Sequence, residues 1–364
     1  MLVTAVSAEA QSPLEQAVVL ARQKRYAEAR KALEGAVEPA GLTQRIAFHR
    51  LKAAVASGLG DSATAANEMR SALALAPGDA GLQTATAAAE LQAGLLDDAL
   101  THARAGGNTA AGQALIGDIQ EKRGQYVEAV KAYQAAVALE PGWEQFRIAL
   151  ALELVQHYTF EPAIAVLEQA APRFPKSARI RTLLGVAQYA AGRFDEAETA
   201  MTDALTLDPD LQPVYGYLAQ AAFESPSAPP DRTLRTICSR DAEGTACLVL
   251  QSRAARAEGD AALLAQAVAK LKRTPEDSAV ARCELGRVYQ ATGQLTEART
   301  ELETCVRLDP SPQNHYHLGL VYNRMGLVDL AQKEMELRHA AEERRSEDAA
   351  RRQNAVQAFQ YLIK

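Results

Sequence analysis

Four cysteines are the residues of this 364-residue chain whose chemistry is easiest to anticipate. They are Cys238, Cys247, Cys283 and Cys305. An even number of cysteines in an exported protein suggests two disulfides, for which three connectivities exist. In a protein kept in a reducing cytosol, the same side chains would be buried as small apolar residues. Cysteine content alone leaves both alternatives open.

No residue pattern typical of catalysis or metal binding accompanies the cysteines. The sequence has no C-x-x-C, H-E-x-x-H or G-x-S-x-G motif and no glycine-rich phosphate loop. His315 and His317 are two residues apart, so on a helix they point in nearly opposite directions and cannot share a metal ion. We therefore expect no enzyme activity, no catalytic residues, no metal site and no cofactor.

Composition indicates a helical protein. Hydrophobic residues make up 48% of the chain, many of them alanine, whereas aromatic residues make up only 5%. Alanine favours helices, and the large side chains that favour strands are sparse. The net charge of −6 argues against nucleic acid as a general partner, because such proteins carry a basic excess. No apolar run approaches the roughly 20 residues of a membrane-spanning helix, so no membrane span is expected.

The first eleven residues suggest a trafficking signal. Residues 1–10 read MLVTAVSAEA, and Ala8-Glu9-Ala10 resembles an A-x-A signal-peptidase site. A complete signal peptide has a basic start, but the first basic residue here is Arg22. We interpret residues 1–11 as a signal-peptide remnant, which predicts a periplasmic or secreted protein. The alternative is a disordered terminus, compatible with a cytoplasmic protein.

A 34-residue period runs through the middle of the chain. Pro141, Pro175 and Pro209 are 34 residues apart, and each follows an apolar stretch where proline would end a helix. Four segments then align on a shared pattern: a large apolar residue followed by glycine, with a second glycine seven residues later. These segments begin at Ile116, Leu184, Leu285 and Leu318.

The aligned positions have a physical role in a pair of helices. In the third segment, Gly286 and Ala298 would let two helices approach closely, and Gly293 would form the turn between them. This pattern resembles the tetratricopeptide repeat (TPR). The resemblance implies an all-α fold, a right-handed superhelical solenoid of stacked antiparallel helix pairs with a C-terminal capping helix.

The resemblance varies along the chain. It is strongest in residues 110–222 and in a further repeat pair at 279–339, and residues 12–109 contain degenerate TPR-like helical pairs. Residues 223–278 form an irregular TPR-like segment with a proline-rich loop. Tyr158 replaces the turn glycine in one of the weaker copies. About nine helical pairs are expected in total.

Within this arrangement two cysteine pairings become plausible. Cys238 and Cys247 would flank a turn between helices, and a tight turn could bring their Cα atoms within the roughly 7 Å that a disulfide needs. Cys283 and Cys305 would lie on the two antiparallel helices of one repeat. We predict these two pairs, with packing of four free cysteines as the alternative.

The C-terminal segment, residues 340–364, has a different character. Charges of both signs alternate along it, which is typical of a solvated helix, and apolar residues return near its end. We interpret it as the capping helix that covers the last repeat. The alternative is a contact with a partner or with a second copy of the chain, which would make a homo-oligomer.

The family resemblance also implies a function and a site. In TPR proteins the first helices of successive pairs line a concave surface that binds partners. The resemblance thus implies a non-catalytic scaffold that binds a partner protein or peptide, which we place in the cell envelope. A cytosolic regulatory or co-chaperone scaffold, or the regulatory subunit of a separate enzyme, is the alternative. The predicted groove residues, any of which could instead be an ordinary solvated position, are Arg179, Thr182, Tyr189, Gln220, Phe223, Arg287, Gln290, Tyr316 and Asn323.

Overall fold

A computed structural model describes residues 12–343 of the chain. The interpretations of residues 1–11 as a signal remnant and of the C-terminal segment as a capping or dimerising helix fall, apart from residues 340–343, outside the described residues. Between residues 12 and 343 the chain forms twenty α-helices and no strand. Its helices divide into two compact units, Met1–Glu153 and Leu154–Lys364, and each unit is described separately.

Unit 1 is a series of helical hairpins. Each of its first four hairpins packs a helix against the next one in the chain, and consecutive hairpins contact each other. The helices are α1 (Pro13–Arg22), α2 (Tyr26–Glu34), α3 (Leu42–Gly58), α4 (Ser62–Leu75), α5 (Ala80–Gln92), α6 (Leu96–Ala105), α7 (Ala110–Lys122) and α8 (Tyr126–Leu139), followed by α9 (Glu144–Gln156), which extends past the unit boundary.

Polar side chains mark where helices of unit 1 begin. The Ser12 hydroxyl accepts a hydrogen bond from the backbone N–H of Glu15, whose carboxylate accepts one from the Ser12 N–H, so α1 starts with a capping box. At the start of α4 the Asp61 carboxylate accepts from the Thr64 N–H at 3.1 Å. These contacts satisfy backbone donors that the first turn of a helix leaves without partners.

Unit 2 continues the hairpin arrangement with eleven further helices. Its helices after α9 are α10 (Phe160–Ala170), α11 (Ala178–Ala190), α12 (Phe194–Leu207), α13 (Gln212–Glu224), α14 (Asp231–Arg240), α15 (Thr245–Glu258), α16 (Ala261–Leu271), α17 (Ala279–Thr292), α18 (Leu295–Leu308), α19 (Pro312–Arg324) and α20 (Val328–Glu343). Within residues 12–343, nine pairs have both of their helices in one unit, four pairs in unit 1 and five in unit 2, and the sequence predicted about nine. The copy near residue 212 has a disturbed sequence pattern in its second half, yet its second helix, α14, forms.

In regular pairs of unit 2, one glycine on the first helix lets the second helix approach closely. A Cβ atom placed on Gly286 of α17 would lie 2.5 Å from Cγ of Leu302 on α18, which is too close for any side chain. Leu302 is fully buried. The α11–α12 pair repeats this contact between Gly185 and Met201, with 2.6 Å to the Met201 Cγ atom. Glycine therefore sets how closely the two helices of a pair approach.

The turn inside a pair needs a left-handed backbone. Gly293, between α17 and α18, has φ of 79°, which glycine adopts without a steric penalty. The corresponding turn between α9 and α10 places Tyr158 at φ of 62°. A bulky residue is rarely found there, so Tyr158 holds the same turn at a cost in conformational energy.

The first helices of the pairs in unit 2 form one layer. Direct contacts join α11 to α13, α13 to α15, α15 to α17 and α17 to α19, although these helices are not consecutive in sequence. We call these five helices the first-helix layer. Their partner helices α12, α14, α16, α18 and α20 complete the pairs. None of the helices between residues 12 and 343 combines the length and apolarity that crossing a bilayer would require.

The α13–α14 pair departs from this regularity. Residues 225–230 form a loop between its helices, and α14 packs against α12 and α15 as well as against α13. The hydroxyls of Thr202 on α12 and Thr233 on α14 are 3.1 Å apart in a buried contact. Helix α14 is therefore attached to three neighbours instead of mainly to its own partner.

Candidate partner-binding groove

The predicted groove residues all lie on the first-helix layer of unit 2. They differ in how much surface they offer. Arg179 on α11, Gln220 on α13 and Asn323 on α19 are exposed. Thr182 and Tyr189 on α11 are buried, with 3% and 5% of their surface exposed. The remaining four, which are half-buried, are Phe223 on α13, Arg287 and Gln290 on α17, and Tyr316 on α19.

Tyr189 serves mainly to pack helices together. Its ring centroid lies 5.7 Å from that of Phe194 and 6.4 Å from that of Tyr217, both in edge-on orientations. Its hydroxyl lies 3.4 Å from a Glu224 carboxylate oxygen, to which it donates. Such aromatic clusters stabilise the contact between helices. Together with Thr182, Tyr189 therefore presents too little surface to be a main anchor for a partner.

The two other predicted aromatic residues are also engaged within the unit. Phe223 packs against the buried apolar cluster that extends from α15 to α20. The Tyr316 ring has the guanidinium of Arg338, on α20, 5.0 Å from its centroid. A cation over an aromatic face is a favourable contact. Tyr316 is thus directed toward its own partner helix.

Arg287 and Gln290 are brought together with side chains of α19. The Arg287 Nη2 atom donates to the Asn314 side-chain oxygen at 3.0 Å. Gln290 Oε1 lies 2.8 Å from Nδ1 of His317, and Arg324 donates to the Gln290 backbone oxygen at 2.9 Å. These hydrogen bonds fix the two half-buried polar residues at the contact between α17 and α19.

His317 is uncharged in this setting. Burial lowers its pKa to about 4, and the positive charges of Arg287 and Arg256 act in the same direction. Because the Gln290 oxygen can only accept, Nδ1 of the neutral ring carries the proton. Its Nε2 atom lies 3.2 Å from the Gln313 amide nitrogen, which donates to it. His317 therefore adds no charge to the layer at neutral pH.

Helix α15 contributes a group of polar residues that sequence reasoning missed. Ser252 donates to a carboxylate oxygen of Glu284 on α17 at 2.8 Å, and Arg256 Nη2 lies 3.3 Å from both oxygens. Glu284 is 1% exposed. Burial raises the pKa of Glu284, while the charge of Arg256 and the hydrogen bond from Ser252 oppose that shift.

Arg253, also on α15, holds the end of α13 and the following loop. Its guanidinium donates to the backbone oxygens of Ala222, of Ser225 at 2.7 Å and of Ser227 at 2.8 Å. The last carbonyl groups of a helix have no partners within that helix, so a cation that donates to them is stabilising. Arg253 thereby connects the irregular α13–α14 pair to the next one.

A fixed offset in the sequence could have revealed these residues. The turn glycines Gly259 and Gly293 are 34 residues apart. The same offset relates Arg253 to Arg287, a predicted groove residue. Arg256 on α15 lies 34 residues before Gln290, another predicted groove residue. The repeat containing α15 has Ser252 where α17 has Gly286, so its turn glycine, Gly259, is the residue that marks its register.

The four cysteines form two disulfides in unit 2. Cys238 at the end of α14 is joined to Cys247 near the start of α15, with Cα atoms 5.0 Å apart. Cys283 on α17 is joined to Cys305 on α18, with Cα atoms 4.8 Å apart. The first disulfide joins two successive pairs across a turn, and the second joins the two helices of one pair. No group of three metal-binding side chains occurs within residues 12–343.

Comparison with known proteins identifies the repeat. Two sequence models described as tetratricopeptide repeat match this chain, one over residues 148–211 and the other over residues 110–142 and 279–312. A search of curated protein sequences found no match.

Several solved structures are similar over part of the chain. A tetratricopeptide repeat protein from Parabacteroides merdae is 14% identical, with 81% of this chain and 98% of that chain covered and a TM-score of 0.42. The C-terminal part of a TPR repeat-containing protein from Cytophaga hutchinsonii is 17% identical, with coverages of 71% and 94% and a TM-score of 0.45. The Thermus thermophilus TPR protein TTC0263 is 19% identical, with coverages of 48% and 98% and a TM-score of 0.37.

Proposed function

Since the chain belongs to the tetratricopeptide-repeat family, we propose that it is a non-catalytic scaffold whose first-helix layer in unit 2 binds a partner protein or peptide. The observation that carries this proposal is the continuity of that layer, in which α11, α13, α15, α17 and α19 contact one another in succession. Stacked repeats of this kind present an extended surface suited to a partner.

The accessible residues of the layer support this proposal. Arg179, Gln220 and Asn323 are exposed on three different helices of the layer. Arg287 and Gln290 are half-buried between them. Arginine is enriched at the energetic centres of interfaces, and polar residues around it give specificity. A partner that lies along the layer would contact several helices at once.

Affinity capture from the native organism tests the proposal. The variant Gln220→Lys/Asn323→Lys changes two exposed positions of the layer, and we expect it to lose the partner that the wild type captures. The matched control, Thr300→Lys/Gln332→Lys, changes exposed positions on α18 and α20 and should retain the partner. If both variants capture the partner as well as the wild type does, the binding surface lies outside the first-helix layer.

We further propose that the protein works in an exported compartment, in the cell envelope or outside the cell. The support is the pairing of all four cysteines, since disulfides persist in oxidising compartments. Protein isolated from its native compartment under alkylating conditions should show no free thiol by mass spectrometry. Four alkylated cysteines would instead favour the cytosolic regulatory scaffold.

A further inference from the structure

The two disulfides differ in how much of their surface reaches solvent. Cys283, Cys305 and Cys247 are buried, with 6%, 0% and 0% of their surface exposed. Cys238 is half-buried, so it is the one of the four cysteines that keeps an accessible part. Thiol–disulfide exchange requires an attacking thiolate to reach one sulfur of the bond. The Cys238–Cys247 disulfide is therefore the one that offers an approach.

The chain around Cys238 is also open. The residues between Cys238 and Cys247 form the turn from α14 to α15, and residues 239–243 of this turn are exposed. The residues between Cys283 and Cys305 instead include most of α17 and α18, with their buried apolar side chains. The Cys238 Sγ atom accepts a long hydrogen bond from the Gln251 Nε2 atom at 3.9 Å. Such a donor favours the thiolate that forms when the bond opens.

Helix α14 buries few side chains of its own. Of its 10 residues, Thr233 and Ile237 are buried. Its ion pair between Arg232 and Asp203 lies near the surface, where such pairs contribute little to stability. A helix with few buried contacts opens locally at a low cost in free energy. The disulfide is therefore a large part of what keeps α14 in place against α15.

The segment that carries α14 is fixed at both ends without the disulfide. Before α14, the backbone oxygens of Ser225 and Ser227 accept hydrogen bonds from Arg253 on α15, at 2.7 Å and 2.8 Å. After α14, the next helix begins at Thr245 and buries the residues that follow. Residues 228–244, which we call the flap, are thus attached at both ends and closed onto α15 by the Cys238–Cys247 bond.

We propose that Cys238 is a site of thiol–disulfide exchange with the dithiol of an oxidoreductase, and that this exchange releases the flap. The first thiolate of the dithiol attacks the Cys238 sulfur, and Cys247 leaves as a thiolate that takes up a proton. The second thiolate attacks the resulting mixed disulfide, Cys238 leaves and takes up a proton, and the dithiol becomes a disulfide. Two electrons and two protons pass to the protein, while Cys283–Cys305 stays oxidised. The proposal does not depend on which partner the first-helix layer binds.

Reduction of the oxidised wild-type protein by dithiothreitol, itself a dithiol, tests the selectivity. Samples taken at intervals at neutral pH are treated with N-ethylmaleimide, and peptide mass spectrometry measures the alkylation of each cysteine. We expect Cys238 and Cys247 to be alkylated about tenfold faster than Cys283 and Cys305, or more, because access limits the exchange. Equal rates for the two disulfides, or faster opening of Cys283–Cys305, would overturn the proposal.

Two matched variants identify the sulfur that is attacked. Cys247→Ala leaves Cys238 as a free thiol, and Cys305→Ala leaves Cys283 as one. With glutathione disulfide, folded Cys247→Ala should form a mixed disulfide at Cys238, and folded Cys305→Ala should form far less at Cys283. Circular dichroism checks that each variant is folded. If Cys238 does not react in folded Cys247→Ala, its assignment as the attacked sulfur is wrong.

Hydrogen exchange measured by mass spectrometry shows whether opening the bond releases the flap. After selective reduction, amide exchange should rise in residues 231–243 and stay unchanged in α17 and α18, relative to the oxidised protein in the same buffer. Unchanged exchange in α14 would refute the release of the flap. Faster exchange throughout α11–α20 would also refute it, because the disulfide would then support the whole unit.

Discussion

The α17–α18 pair and the α13–α14 pair lie in the same unit, yet different interactions stabilise them. In α17–α18 a glycine fits against a buried leucine of the partner helix, and a disulfide joins the two helices of the pair. In α13–α14 a loop separates the helices, and α14 is attached to α12 and α15 by hydrogen bonds, packing and a disulfide. A repeat whose internal fit is lost can keep its place through polar and covalent links to its neighbours.

Removing the disulfides should give the largest effects and should separate the two pairs most clearly. Cross-links that close loops of this size contribute about 3 kcal/mol to the free energy of unfolding. Cys238→Ala/Cys247→Ala should increase amide hydrogen exchange chiefly in α14. Cys283→Ala/Cys305→Ala should increase exchange in α17 and α18 together. Identical exchange patterns in the two variants would contradict the difference between the pairs.

Arg253→Met should have the next largest effect, and only at the irregular pair. Loss of the guanidinium leaves the backbone oxygens at the end of α13 and in the loop without donors. Hydrogen bonds from a charged donor to such groups are worth roughly 2.5 kcal/mol in total here. Urea unfolding measures the change, and limited proteolysis should show new cleavage within residues 225–230.

Arg235→Met is the matched control for that experiment. Arg235 is 74% exposed and forms a long surface ion pair with Asp231, at 3.8 Å. Such a pair contributes less than about 1 kcal/mol to the free energy of unfolding. If Arg235→Met lowered the free energy of unfolding as much as Arg253→Met does, the effect of Arg253→Met could not be assigned to the hydrogen bonds of Arg253.

Substituting alanine for glycine should have opposite effects in the two pairs. Gly286→Ala forces a Cβ atom against Leu302 and should lower the free energy of unfolding by about 2 kcal/mol. Gly216→Ala in α13 meets no atom within 4 Å and should raise it by about 0.5 kcal/mol, because alanine favours the helix. Circular dichroism during urea unfolding measures both. If both substitutions changed the free energy of unfolding in the same direction, the close helix contact that we assign to Gly286 would be refuted.

Tyr158→Gly should have the smallest effect, a gain of about 0.5 kcal/mol in the free energy of unfolding. The left-handed turn would then be formed by the residue type that forms it between α17 and α18. Tyr158→Ala retains a Cβ atom and should bring no gain. A gain from alanine as large as that from glycine would show that the aromatic ring, and not the backbone angle, is unfavourable.

The hairpins could be predicted from sequence because they depend on residues at fixed offsets. Gly286 and Gly293 occupy positions where helix approach and turn geometry demand glycine, so their spacing alone indicates a pair of helices. Burial inside the layer was harder to anticipate. Tyr189 occupies a predicted groove position, but its ring packs against Phe194 and Tyr217, which depends on how neighbouring helices are placed.

Long-range polar contacts were also invisible in the repeat pattern. Arg253 binds a loop whose proline-rich sequence does not specify its path, so no spacing rule predicts which oxygens it reaches. Pairs of histidine and glutamate are an exception that spacing could have found. His49 and His315 each lie 2.7 Å from a glutamate that follows 19 residues later, Glu68 and Glu334, on the second helix of the same pair.

The two disulfides also have a mechanical consequence. They join residues 9 and 22 positions apart in sequence, and a chain segment enclosed by a covalent cross-link cannot lengthen under force. An extended chain spans about 3.5 Å per residue, and each cross-link itself spans about 5 Å between Cα atoms, so the oxidised protein pulled by its two ends should reach a contour length roughly 100 Å shorter than the reduced protein. If the protein is held at both ends, its oxidised form should therefore extend less under force than its reduced form.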